Sequence, residues 1–137
     1  MLSGAPGPAE GRSGIKVLSE SVAAVFLAAA RDYPGPLLRR DTGNGFELAP
    51  DAGSRLPLNR CFLKICSVRP GHTLVFFYKR SLLPFRRDRF SYGGCEWPDE
   101  QIGADQARAS LDYLTSGLNP SARPPWLRRA LTCTVPD

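Results

Sequence analysis

The chain has 137 residues, of which 42% are apolar and 23% charged, and its net charge is +5 at pH 7. This length and apolar content predict one domain with one core. No run of about 18 uncharged apolar residues occurs, which argues against a membrane-spanning helix.

The N-terminus and the cysteines predict where the protein resides. The first residues lack the basic start and apolar middle of a signal peptide, so the four cysteines are expected to be reduced thiols in the cytoplasm. None of them forms a CxxC pair. Cys61 and Cys66 lie five residues apart on a predicted strand and would point to opposite faces. We therefore expect no metal site and no cofactor.

The N-terminal part of the chain predicts a disordered segment followed by a helix. Residues 1–14, rich in Gly, Pro and Ser, are predicted to be disordered, and residues 15–137 are predicted to form a single domain. From Ser19, a plausible N-cap, apolar residues follow the spacing of one helical face. A helix is predicted over about 20–32, ending before Pro34-Gly35-Pro36.

Two hairpins are predicted next. Residues 37–38 and 46–48 flank a segment containing Asn44-Gly45, a pair typical of tight hairpin turns. Residues 61–68 and 73–78 are rich in β-branched and aromatic residues, and Pro70-Gly71 between them suits the centre of a type II turn. A third strand around residues 87–92 would extend this central hairpin.

The C-terminal third predicts a second helix and a short third one. Apolar spacing from Ala107 to Leu114 indicates a helix over about 104–116, and Pro125 suits the first turn of a helix over 126–131. The fold class is therefore α+β: a small antiparallel sheet of three to five strands packed against two main helices, with a short C-terminal helix. The residues expected in the core are Phe26, Leu63, Ile65, Phe76, Leu111 and Leu114.

The positive charge is concentrated in one part of the chain. Residues 55–89 contain nine basic residues and one acidic residue, a net +8, whereas the segments before and after sum to −1 and −2. This distribution indicates an electropositive surface. Arginine outnumbers lysine fifteen to three, and arginine suits bidentate phosphate contacts.

The central hairpin offers a binding surface. Alternation places Arg60, Phe62 and Lys64 on one face of the first strand. If Phe77 and Lys79 share that face, it interleaves aromatic and basic side chains, as surfaces that bind single-stranded nucleic acid do. The alternative is that the helices cover the two phenylalanines while the basic residues lie at the rim.

A second basic cluster, Arg86-Arg87-Asp88-Arg89, would hold phosphates or an acidic protein partner. The complete set of predicted binding residues is Arg60, Lys64, Lys79, Arg86, Arg87, Arg89, Phe62 and Phe77.

The motifs favour a non-enzymatic protein without excluding an enzyme. No P-loop, GxGxxG or GxSxG occurs, and the only histidine, His72, falls in a predicted turn, so no catalytic residue is assigned. We expect a nucleic-acid-binding or regulatory domain with an Arg-rich surface. The alternatives are a protein-interaction module, such as an inhibitor or adaptor docking an acidic partner, and a small enzyme without a readable motif.

Overall fold

The computed structural model describes residues 18–51, 59–81 and 89–127. Helix α1 (Glu20–Arg31) precedes five strands, and helix α2 (Ala104–Thr115) follows them. The strands are β1 (Leu37–Thr42), β2 (Gly45–Pro50), β3 (Asn59–Arg69), β4 (His72–Ser81) and β5 (Arg89–Pro98). A 3-10 turn, Asp99–Gln101, joins β5 to α2.

The five strands form one antiparallel sheet in the order β1-β2-β3-β4-β5, so each strand pairs with its neighbours in the chain. The predicted α+β class, with an antiparallel sheet and two helices, is confirmed. The strand predicted around residues 87–92 is β5, and it continues to Pro98.

The turn of the central hairpin is as predicted. Gly71 has a φ of 76°, the left-handed value that the third position of a type II turn requires. The first hairpin differs from the prediction by one residue. Thr42 pairs with Gly45, so its loop is Gly43-Asn44, and Gly45 belongs to β2.

The two faces of the sheet differ from the prediction because β3 contains an irregularity. Arg69 pairs with His72, but the next pair is Ser67 with Thr73, so Val68 is an extra residue on β3. One extra residue shifts the pairing of the two strands by one position. Beyond the shift, each residue of β3 therefore shares its face with β4 residues that would otherwise lie on the opposite face. The prediction that Phe77 shares a face with Phe62 is therefore wrong: Phe77 pairs with Leu63.

The first face, which we call the helix face, carries Leu63, Ile65, Val75 and Phe77, which are buried in one cluster with α1 and α2. The opposite face, which we call the far face, carries a second buried cluster that includes Phe62, Cys66, Leu74, Phe76 and Tyr78. All six predicted core residues are buried, but Phe76 lies on the far face.

The helices pack partly on each other. Helix α2 contacts β2 and β3, and α1 packs against α2. Ser19 stands at the N-cap of α1 as predicted, but its hydroxyl pairs with that of Ser21 and caps no backbone N–H. Both helices match their predicted positions to within one residue at each end.

The chain beyond α2 confirms little of the predicted C-terminal helix. A 3-10 turn, Pro120–Ala122, is found there, and most of the predicted helix over 126–131 lies outside the described residues. The predicted disordered segment 1–14 also lies outside them. Within the described part of the chain, neither helix is long and apolar enough to cross a membrane.

Candidate anion-binding site

Most of the described arginines are already neutralised or hydrogen-bonded. Five of them lie 2.6 to 3.8 Å from a carboxylate oxygen. These pairs are Arg31 with Asp32, Arg39 with Asp41, Arg40 with Glu47, Arg69 with Glu96, and Arg108 with Asp112. Arg123 donates instead to the carbonyl oxygens of Tyr92 and Leu127, at 2.9 and 3.3 Å. Five of these arginines thus lie beside a carboxylate that offsets their charge.

Three basic side chains differ from this pattern, and their backbone positions adjoin one another. Of the side chains that the structure describes, Arg60, Lys79 and Arg80 are the basic ones that form neither a salt bridge nor a hydrogen bond. Arg60 and Arg80 occupy directly opposed positions on β3 and β4, and Lys79 precedes Arg80. We call this group the basic end of the sheet.

Strand β5 adds a fourth basic residue at the same level. Arg89 is the backbone partner of Arg80, so three arginine positions follow one another across β3, β4 and β5, with strand spacings of about 4.8 Å. Like charges at directly opposed positions destabilise a sheet. Repulsion between these neighbouring positions therefore opposes folding.

Aromatic rings hold two of the cations in place without neutralising them. The guanidinium carbon of Arg80 lies 4.5 Å from the centroid of the Phe62 ring, and Nζ of Lys79 lies 5.2 Å from that of Tyr92. Cation–π contacts of this kind position a charge but leave it unneutralised. Both cations thus remain available to an anion.

Each face of the sheet contributes to the basic end. Arg60 and Arg80 share the far face with Phe62 and Tyr78, since residues alternate along each strand. Lys79 stands on the helix face, and its backbone partner on β5 is Phe90, which is 50% exposed. At this end of β3, β4 and β5, two arginines therefore lie on the far face, and a lysine and an exposed ring lie on the helix face.

The eight residues predicted to bind a ligand are only partly brought together. Arg60 and Lys79 belong to the basic end, and Arg89 is described there by its backbone position alone. Arg86 and Arg87 lie outside the described residues. The other three predicted residues, Lys64, Phe62 and Phe77, are buried.

Burial prevents the two predicted stacking residues, Phe62 and Phe77, from contacting a base. Phe62 is covered by a stacked Tyr78 ring, with centroids 5.1 Å apart, and by Arg80. Phe77 packs edge-on against Tyr113 in the helix-face core, so the alternative in which the helices cover it is the observed one. Neither ring is exposed for stacking on a base. Arg80 and Phe90 were missed because their placement depends on the register of β4 with β3 and β5.

A second charged group, centred on a buried carboxylate, lies on the far face. The buried carboxylate of Glu47 accepts hydrogen bonds from Tyr78 at 2.5 Å and from Nε of Arg40 at 2.8 Å, and Lys64 is its backbone partner on β3. Burial acts to raise the pKa of Glu47, but these hydrogen bonds and the charges of Arg40 and Arg80 outweigh burial and lower it. The carboxylate of Glu47 thus stabilises the fold, and its charge also acts on one arginine of the basic end.

Neither Cys61 nor His72 has the surroundings of a catalytic residue. Burial raises the pKa of the Cys61 thiol, against a smaller lowering effect of Lys79, so the thiol is not activated. His72 lies 3.5 Å from Glu96, which is already bound by Arg69, at the opposite end of the hairpin from Arg60. Among the described residues, no three His, Cys, Asp or Glu side chains form a group that could hold a metal ion.

No family model, curated protein or solved structure matches this chain. Its function must therefore be inferred from the chemistry of the basic end.

Proposed function

We propose that this protein binds nucleic acid, and that the phosphates of the nucleic acid contact the basic end. The observation that carries the proposal is the grouping of Arg60, Lys79 and Arg80, whose side chains form no salt bridge or hydrogen bond among the described residues, whereas the other arginines with described side chains do. A cluster of cations without such contacts inside the protein is the arrangement expected for contact with an external anion.

The charge of the surrounding chain supports this proposal. The basic end lies within residues 55–89, which carry a net +8. The predicted binding residues Arg86 and Arg87 belong to the segment that joins β4 to β5, the strands that carry Arg80 and Arg89. Neutralising several phosphates releases condensed counterions, which gives affinity without a base-reading motif.

An acidic protein partner is the second candidate, and the described surface favours it less. Protein interfaces have an apolar core surrounded by a polar rim. Leu38 and Phe90 are the only exposed large apolar side chains among the described residues, and they lie on opposite edge strands. Binding dominated by phosphate contacts does not require an apolar core.

A cytoplasmic location belongs to the same proposal. Its basis is the absence of a disulfide among the described cysteines, an arrangement typical of proteins in reducing compartments.

The test is a salt-titrated binding assay with labelled single-stranded and duplex DNA and RNA. The test variant combines Arg60→Gln, Lys79→Gln and Arg80→Gln. The control combines Arg31→Gln, Arg39→Gln and Arg108→Gln, which removes the same charge from arginines that are already paired. Loss of three phosphate contacts should make the slope of log affinity against log salt shallower by about 2 to 3.

We expect the test variant to bind at least about tenfold more weakly at low salt, because it loses the contacts that release counterions. The control should retain most of the affinity. Equal losses in the two variants would mean that net charge alone is responsible. Absence of any binding by the unmodified protein at low salt, with retention of an acidic polypeptide such as polyglutamate, would replace the proposal with the protein-partner alternative.

A further inference from the structure

The exposed ring of Phe90 adds a second kind of contact to the basic end. Five other phenylalanines have described side chains, and all of them are at most 6% exposed. Phe90, in contrast, is 50% exposed. Burial of a phenylalanine side chain stabilises a fold, so the fold gives up part of that stabilisation at this position.

The position of Phe90 in the sheet keeps it uncovered. It lies on β5, which pairs with β4 and is an edge strand of the sheet that the structure describes. Its backbone partner on β4 is Lys79, whose ammonium group lies over the ring of Tyr92. The ring is thus part of the basic end and separate from the hydrophobic core.

The spacing of these groups suits a nucleotide. Arg80 and Arg89 are backbone partners, and Lys79 and Phe90 are the next pair along the same two strands. Lys79 and Phe90 therefore lie on the same face, and their backbones are about one strand spacing, roughly 5 Å, apart. A phosphate and the base attached to it can contact both.

We infer that the nucleic acid bound by this protein is single-stranded, and that Phe90 is the platform on which one of its bases stacks. This inference rests on the proposed function. In a duplex both faces of a base are covered by its neighbours, whereas an unpaired base can place one face on an aromatic ring. Because every base has such a face, the contact tolerates different sequences, which fits a chain without a base-reading motif.

The experiment compares Phe90→Ala with Phe90→Tyr, using single-stranded 12-mers and the duplex of the same sequence. Phe90→Ala should weaken single-strand binding by about 5- to 100-fold, the range that alanine substitution at stacking platforms produces. It should change duplex binding by less than about twofold. Phe90→Tyr keeps the ring and should retain single-strand affinity.

Two further readouts separate stacking from a structural effect. The salt slope should be the same for Phe90→Ala as for the unmodified protein, because no charge is lost. Leu38→Ala, which truncates the other exposed apolar side chain at the opposite edge of the sheet, should leave binding unchanged.

The outcomes distinguish this inference from the proposed function. The stacking inference is overturned if Phe90→Ala weakens single-strand and duplex binding equally, or if it weakens neither. In both cases the variant that changes Arg60, Lys79 and Arg80 still decides the proposed function. If that charge variant also binds normally, both fail.

Discussion

At the scale of single residues, the sharpest consequence concerns the buried carboxylate of Glu47. Its folded pKa is lowered below the ordinary value of 4.5, because hydrogen bonds from Arg40 and Tyr78 outweigh the effect of burial. A lowered folded pKa gives stability that is present above the unfolded pKa and is lost as the pH falls through the folded value. Acid should therefore remove the stabilisation that Glu47 provides.

Removing the hydroxyl of Tyr78 tests this directly. Tyr78→Phe keeps the ring stacked on Phe62 but removes a donor to a charged acceptor, so it should lower the free energy of unfolding at pH 7 by about 1.5 to 3 kcal/mol. The difference should shrink well below pH 4.5, where Glu47 becomes protonated. Urea unfolding at several pH values measures both effects.

The control for this prediction is Tyr92→Phe. The hydroxyl of Tyr92 has no hydrogen bond among the described residues, so its loss should change stability by less than about 0.5 kcal/mol. A loss in Tyr78→Phe that does not depend on pH would show that Tyr78 acts through packing and not through the Glu47 carboxylate.

At the scale of elements, the first hairpin depends on a glycine that the turn itself does not use. A Cβ at Gly45 would overlap the carbonyl oxygen of Ile65 on β3 and lie 2.8 Å from the Cα of Cys66. Both obstacles are backbone atoms, which cannot move aside by a change of rotamer. Gly45 therefore determines how closely β2 approaches β3.

Gly45→Ala should accordingly destabilise the protein by about 1 to 3 kcal/mol or more, the usual effect of overpacking. Gly43→Ala, two residues earlier in the loop, places its methyl group where no atom lies within 4 Å, so it should cost less than about 0.5 kcal/mol. Thermal unfolding followed by circular dichroism compares the two variants. Equal destabilisation would contradict the proposed close approach of the strands.

At the scale of the whole molecule, the helix-face core should dominate stability. Leu63 is fully buried between the sheet and the helices, and Leu63→Ala should lower the free energy of unfolding by about 2 to 5 kcal/mol. Leu38, on β1, is 42% exposed, and Leu38→Ala should change it by less than about 0.5 kcal/mol. A loss below about 0.5 kcal/mol in Leu63→Ala would contradict the burial of Leu63 in the helix-face core.

Much of the fold could be predicted because the relevant signals are local. Helix periodicity and the Pro70-Gly71 turn act over a few residues, and they located α1, α2 and the central hairpin closely. The concentration of charge in residues 55–89 is likewise a property of the chain. Such signals do not depend on what a residue contacts after folding.

The candidate site was only partly predictable, because it depends on register. The extra residue Val68 in β3 shifts its pairing with β4 by one position. As a result Phe77 pairs with Leu63 in the core, and Arg80 pairs with Arg60. No local signal separates this pairing from the unbulged one, since both satisfy alternation along each strand.

The sequence by itself determined the two main helices, the central hairpin, six residues of the core and the region of excess charge. Only the tertiary structure decided which cations are available to a ligand. Glu47 neutralises Arg40 and Glu96 neutralises Arg69 across strands, with separations of 7 and 27 residues along the chain. The Coulomb interaction depends on distance in space, so a partner that the sheet brings within 4 Å removes a cation from the surface, whatever its position in the sequence.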